Sequence, residues 1–352
     1  MRVEEVELPD PGPDQVIVEQ FASGICHSQL HSMHKPRQSA LLLGHESTGA
    51  ILAKGSNVSH VDVGDHVMVS WGPRNPEEAL RRPELITVTL ADGTVANNPV
   101  YAEQMFTWAD RALVDQRHVV GMPKNVATDV TSIVGCAVMT GAGAVTNTIG
   151  VKAGESVAVF GVGGVGLSAV AAAKVLEADP IIAVDLDDEK LEFARQFGAS
   201  VTINASEGDA VEQIRNLTTR AGEFDALGNA VAGVDYALDC IGVGATMEQI
   251  VPAARGKVLG TTTGGTAVLV GVPQTPVQLN GLDMIFNEKK FVASHGGSCL
   301  PERDFPMFLR WYQEGDLDLE AMVTERFGID QINEATAALA AGKIAGRAIL
   351  EF

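Results

Sequence analysis

Cysteine is scarce in this chain of 352 residues: there are four, at 26, 136, 240 and 299, and nowhere a CxxC pair. Cysteines so few and so scattered exclude a disulfide framework. Cations are the second shortage. Against 45 Asp and Glu stand 25 Lys and Arg, for a formal net charge of −20 and a pI near 4.7. Such a surface repels polyanions, so nucleic acid is not expected as a partner, and any bound pyrophosphate needs donors placed locally. No apolar leader follows Met1 and Arg2, only acids at Glu4, Glu5, Glu7 and Asp10, so a secretory signal is not expected and the cytoplasm is. No internal repeat, low-complexity tract or heptad run is present. The run Val157 to Ala173 is almost wholly apolar, but it is short of a bilayer span and carries four glycines, so no membrane association is expected.

What the chain does carry is a stretch from Ser156 to Asp185 that reads strand, tight turn, helix, strand. An apolar run, Val157 to Phe160, leads into Gly161, Gly163 and Gly166 in G-x-G-x-x-G spacing, with Gly164 and Val165 between them, and then an alanine-rich segment to Leu176. The first glycine permits the turn, the second lets a pyrophosphate approach the backbone, and the third lets helix and strand pack closely. Free N–H groups at the helix start complete an anion site. Asp185 closes a second apolar run nineteen residues after Gly166, where a carboxylate can accept from an adenosine ribose. A glycine turn alone matches many loops; here the strands, the helix and the acid all fit a dinucleotide. Leu186, Asp187 and Asp188 follow with no adjacent arginine, so a ribose 2′-phosphate would meet carboxylates, and NAD is expected over NADP. Lys190, Val270 and Val272 are further candidate cofactor contacts.

The length suggests two domains. Residues 3 to 70 read as short β segments between turns such as PDPGPD and GSNVSH, an all-β lobe. Residues 75 to 98 are polar, with one possible helical turn and one possible hairpin. Thr128 to Ile149 is small and apolar and reads as a buried helix. From Val157 strands and helices alternate, which implies a parallel sheet with right-handed crossovers, until about Asn287. The expected division is a first lobe over 1–139, a cofactor domain over 140–286, and a last segment, 287–352, packing back on the first lobe. The cofactor domain is then an insertion, with the cleft beside it.

Cys26, His45 in GHE, and Cys136 form a sparse set of soft ligands. Two thiolates and one imidazole suit zinc, and three protein ligands leave a fourth position open, the pattern of a catalytic site. Each residue alone is more often core cysteine or a hydrogen-bonded histidine.

Together with the dinucleotide turn they make the chain resemble the zinc-dependent alcohol dehydrogenases of the medium-chain dehydrogenase/reductase superfamily. The motifs are GICHSQLH (24–31), GHESTG (44–49), VGDHV (63–67), GCAVMTGAGA (135–144), GVGGVG (161–166), VGVP (270–273) and GKIAGRAI (342–349), so the resemblance spans nearly the whole chain. It implies a Rossmann doubly wound parallel sheet inserted in a discontinuous, mostly β, GroES-like catalytic domain. By the same resemblance Cys26, His45 and Cys136 bind one catalytic zinc, with Glu46 behind it. Ser28 touches the substrate oxygen and starts a proton relay through the cofactor ribose and His31. His27 and Arg347 meet the pyrophosphate, Thr140 lies against the nicotinamide, and Trp71 lines the substrate pocket, where plain core packing is the alternative. The metal is needed because a neutral alcohol does not readily give up hydride, and zinc shifts the pKa of a bound water by about nine units, or about 12 kcal/mol.

Relatives often carry four cysteines for a structural zinc after the VGDHV strand; residues 71 to 110 hold none, so one zinc per chain is expected. Where the family motif usually has Asp this chain has Gln29, so weaker zinc binding or turnover is expected. The chain also begins where relatives already have one strand behind them. The expected activity is NAD-dependent oxidation of an alcohol to an aldehyde or ketone by a homodimer or homotetramer. The alternatives are a thiol-adduct formaldehyde dehydrogenase, a polyol dehydrogenase, a nicotinoprotein that keeps its cofactor, or a non-catalytic dinucleotide-binding redox sensor.

Overall fold

The computed structural model describes residues 1–33, 40–83, 86–97, 105–226 and 228–352. Two compact units result, Met1–Met139 with Cys299–Phe352, and Thr140–Ser298.

The first unit is built around the strand Gln15–Gly24. Its branched residues alternate inward, with Val16 and Val18 fully buried. It pairs antiparallel with Glu46–Lys54 on one edge, and with Arg111–Asp115 and then Arg347–Glu351 on the other. His66–Ser70, Val119–Gly121 and Val323–Gly328 complete a seven-stranded sheet. Two register shifts interrupt the pairing with Glu46–Lys54. Irregularities of this kind bend a strand and re-aim the residues beyond it, which here are Ile25 and Cys26. Ile25 packs with Ile332, Ala335, Ile344, Ala348 and Leu350 in a small core. Aliphatic chains of this size contribute about 1.5–3 kcal/mol each when fully buried. That core ties the C-terminal segment into the N-terminal sheet.

Within the polar segment 75–98, Asn75 caps the helical turn Pro76–Leu80, and Thr87–Leu90 and Val95–Asn97 form a hairpin. Residues 84, 85 and 98 of that segment lie outside the described residues. A charge network fastens the helical turn: Arg74 pairs with Glu78 and Glu302, and Arg81 with Glu78 and the fully buried Asp115.

In the second unit six parallel strands lie in the order Val201–Asn204, Ile181–Asp185, Val157–Phe160, Tyr236–Asp239, Thr266–Leu269, Lys290–Ala293. The order reverses beside Val157–Phe160, the strand that feeds the glycine turn. Alternation therefore continues past Asn287, and the unit runs to Ser298 rather than to 286. The last strand is only KFVA, and as a half-buried edge it lacks the continuous apolar run that marks the central strands. The expected single helix over 128–149 is also corrected. It is three pieces, a 3-10 segment Val130–Gly135, an α-helix Ala137–Gly143 and a π turn Ala144–Thr148, and the first break falls at Cys136 with φ −142° and ψ −67°.

Candidate metal centre and dinucleotide loop

Breaks in regular structure deliver the ligand atoms. Cys26 stands between strand Gln15–Gly24 and the short helix His27–Met33. His45 directly precedes strand Glu46–Lys54, and Cys136 sits at the helical break. Their ligand atoms, with a carboxylate oxygen of Glu46, lie within 4.8 Å of one another. The two sulfurs are 3.8 Å apart. Two sulfurs on a tetrahedral zinc, each about 2.3 Å from the metal, stand about 3.8 Å from one another, so the pair is already at coordination spacing. His45 Nε2 is buried without a hydrogen-bond partner. Leaving such a group unbound costs about 1–3 kcal/mol. The residues present therefore fit a zinc ion bound by Cys26, His45 and Cys136.

The electrostatics are those of a site built for a cation. A hydrogen bond from Cys136, helped by His45 and the Arg347 charge, holds the Cys26 thiol well below its ordinary value against burial. That hydrogen bond and burial hold Cys136 well above. Burial pulls His45 down, but the Cys26 sulfur beside it, short of a well-formed hydrogen bond, leaves the imidazole raised. Burial pushes Glu46 up to about 7 against the pull of Arg347. Glu46 is fully buried; Arg347 Nη2 donates to its Oε1 and the Ala137 N–H to its Oε2 at 3.4 Å. Gly24 makes room for it, since a Cβ there would lie 2.4 Å from the Glu46 carboxyl carbon.

In the second unit the glycine turn has the shape that its spacing requires. Gly161 has φ +87°, and a Cβ on Gly166 would lie 1.9 Å from the Gly161 carbonyl oxygen. Around Gly163 a Cβ would meet nothing within 4 Å. The helix Gly164–Val175 starts there with no side-chain cap on its first N–H groups, so a phosphate has both space and donors. Asp185 steadies the turn by accepting from Val162 N–H at 2.9 Å and Leu186 N–H at 2.8 Å. All of this lies at the carboxyl ends of the strands beside the reversal of strand order, where open α/β sheets bind ligands.

Comparison with known proteins agrees with this geometry. Residues 12–124 match the alcohol dehydrogenase GroES-like domain, and residues 164–314 match the zinc-binding dehydrogenase family. The NDMA-dependent alcohol dehydrogenase of Amycolatopsis methanolica is 32% identical, over 97% of this chain and 93% of that protein. An alcohol dehydrogenase of Geobacillus stearothermophilus is 30% identical over 100% and 96%. The chain belongs to the zinc-type alcohol dehydrogenases. Among solved structures, benzyl alcohol dehydrogenase from Acinetobacter calcoaceticus superposes with a TM-score of 0.83 at 29% identity, covering 99% of this chain and 94% of the other. As a member of this family the protein is an oxidoreductase that uses zinc and a nicotinamide dinucleotide.

The other residues that the family pattern points to lie in both units. Ser28 Oγ donates to Cys26 Sγ at 3.3 Å. His27, exposed, and His31, half-buried, meet edge to face with centroids 5.8 Å apart. Trp71 is partly buried and packs against the core of the first sheet. Thr140, half-buried, is the first residue of the second unit. Lys190 is half-buried on helix Asp188–Phe197, Val270 is buried, and Val272 is 56% exposed. Arg347, expected on the pyrophosphate, is 6% exposed with its guanidinium on Glu46. Gly24 was not legible as a site residue; a glycine two positions before a ligand is a weak signal until the carboxylate that it admits is seen.

Proposed function

We propose that this enzyme oxidises alcohols to aldehydes or ketones with NAD, using one zinc held by Cys26, His45 and Cys136. The 3.8 Å spacing of the two sulfurs carries the reading. Zinc bound there supplies Lewis acidity, which makes a substrate hydroxyl easier to ionise. Ser28, beside Cys26, takes that hydroxyl proton and passes it toward His31, one helical turn on, since an imidazole is the side chain suited to carrying protons near neutrality. Glu46 and Arg347 brace the ligands from behind. Asp185, Asp187 and Asp188 repel a 2′-phosphate, which favours NAD.

The protein acts as a homo-oligomer. The edge strand Lys290–Ala293 has a sheet neighbour on one side only among the described residues, and the helix Gly281–Asn287 beside it in sequence exposes Leu282, Ile285 and Phe286 by 67, 70 and 45%. Edges and apolar patches of this kind are covered in stable proteins. No helix among the described residues is long and apolar enough to cross a membrane. Four cysteines outside any disulfide suit a reducing compartment such as the cytoplasm. Metal analysis with an alcohol panel tests the reading: one zinc per chain and alcohol-dependent NADH formation are expected. Two tightly bound zincs, or faster turnover with NADP than with NAD, would contradict it.

A further inference from the structure

Gln29 offers one acceptor to two donors. Its side chain is 5% exposed; Oε1 accepts the Gly44 N–H at 2.9 Å, and Nε2 faces His45 Nδ1 at 2.5 Å. An amide nitrogen can only donate, so the second contact is a hydrogen bond only when Nδ1 is bare and the ring proton sits on Nε2. A metal requires the opposite tautomer, with Nε2 giving its lone pair and Nδ1 keeping the proton. Turning the amide over brings no relief, because its nitrogen then meets the Gly44 N–H. Nor can Gly44 retreat. Its φ is +94°, its carbonyl accepts from Thr107 N–H at 3.2 Å, and a Cβ there would lie 2.5 Å from Trp108 N.

We propose that Gln29 is a positioning residue that favours the tautomer of His45 closed to metal, so that this chain holds its zinc less tightly than the same fold with an acceptor-only side chain at 29. The inference rests on Cys26, His45 and Cys136 being the zinc ligands. Gln29→Glu keeps the length and lets a carboxylate accept from both Gly44 N–H and His45 Nδ1–H. Outer-shell partners of this kind change metal affinity by about 10 to 100-fold. Gln29→Met keeps the length without donor, acceptor or charge. It removes both the hydrogen bond that stabilises the metal-free tautomer and the donor–donor clash in the metal-bound one.

The test is zinc affinity of the full-length protein by competition with a chromophoric chelator. Gln29→Glu is expected to bind about 10 to 100-fold more tightly than wild type, with Gln29→Met between them. Equal affinities in all three overturn the inference, and so does tightening in Gln29→Glu alone, since that is an effect of charge. In either case zinc binding at one per chain leaves the ligand assignment standing, whereas no zinc binding to any of the three removes the assignment and the inference together.

Discussion

Mild acid should weaken the first unit through one residue remote from the metal ligands in sequence. His118, in the 3-10 turn Gln116–His118, is 1% exposed, with Nδ1 at 3.0 Å from the Ser70 carbonyl. Burial, and then the charge of Arg117, push its imidazole down to about 3. In the unfolded chain it titrates near 6.5. Above that pH neither state takes a proton and His118 costs nothing. As pH falls below it the unfolded state is protonated while the native state is not, so stability declines until the native ring also titrates. At pH 5 the gap of about 1.5 units corresponds to about 2 kcal/mol, rising toward roughly 5 kcal/mol near pH 3. Against a typical total of about 5–15 kcal/mol the loss is measurable. All three tryptophans, Trp71, Trp108 and Trp311, lie in the first unit, so urea unfolding followed by tryptophan fluorescence reports on the unit that holds His118. His118→Gln retains a donor for Ser70 and cannot titrate. Between about pH 7.5 and about pH 5 wild type should lose about 2 kcal/mol more than this variant. Parallel losses in the two proteins would refute the reasoning.

The second unit offers four further outcomes. Gly163→Ala should leave thermal stability unchanged, because its Cβ meets nothing, yet weaken NAD binding; Gly166→Ala should cost about 1–3 kcal/mol in a melt, from the clash with the Gly161 carbonyl. Asp185→Ala should raise NADP turnover relative to NAD in steady-state kinetics, and an unchanged ratio would mean that this carboxylate does not set the preference. Ile285→Glu should shift sedimentation toward the monomer, and an undisturbed oligomer would move the interface away from the helix Gly281–Asn287.

The dinucleotide loop was the most legible part of the chain because its chemistry is local. The turn, the close approach and the helix packing each demand a glycine at a fixed offset, so Gly161, Gly163 and Gly166 announce themselves within six residues. The zinc ligands were legible as residue types that together suit one metal, each a weak signal alone, and the family resemblance gave them their roles. Three features escaped for physical reasons. The helical break at Cys136 leaves no signature in a run of small apolar residues, which suits one helix as well as three pieces. The strand Lys290–Ala293 is an edge, and its half-buried pattern looks like loop. Arg347 has its guanidinium on Glu46, which is 301 positions away, so their pairing is invisible to any local pattern.

The pairing of Glu46 with Arg347 also orders events during synthesis. Glu46 and all three candidate ligands are translated before the second unit, whereas Arg347 comes after it. Residues 140–298 are all made before residue 347, and until then a buried Glu46 lacks the Arg347 guanidinium, the charge that favours its ionised form most. The metal centre of the first unit is therefore finished last, although most of its atoms are made first.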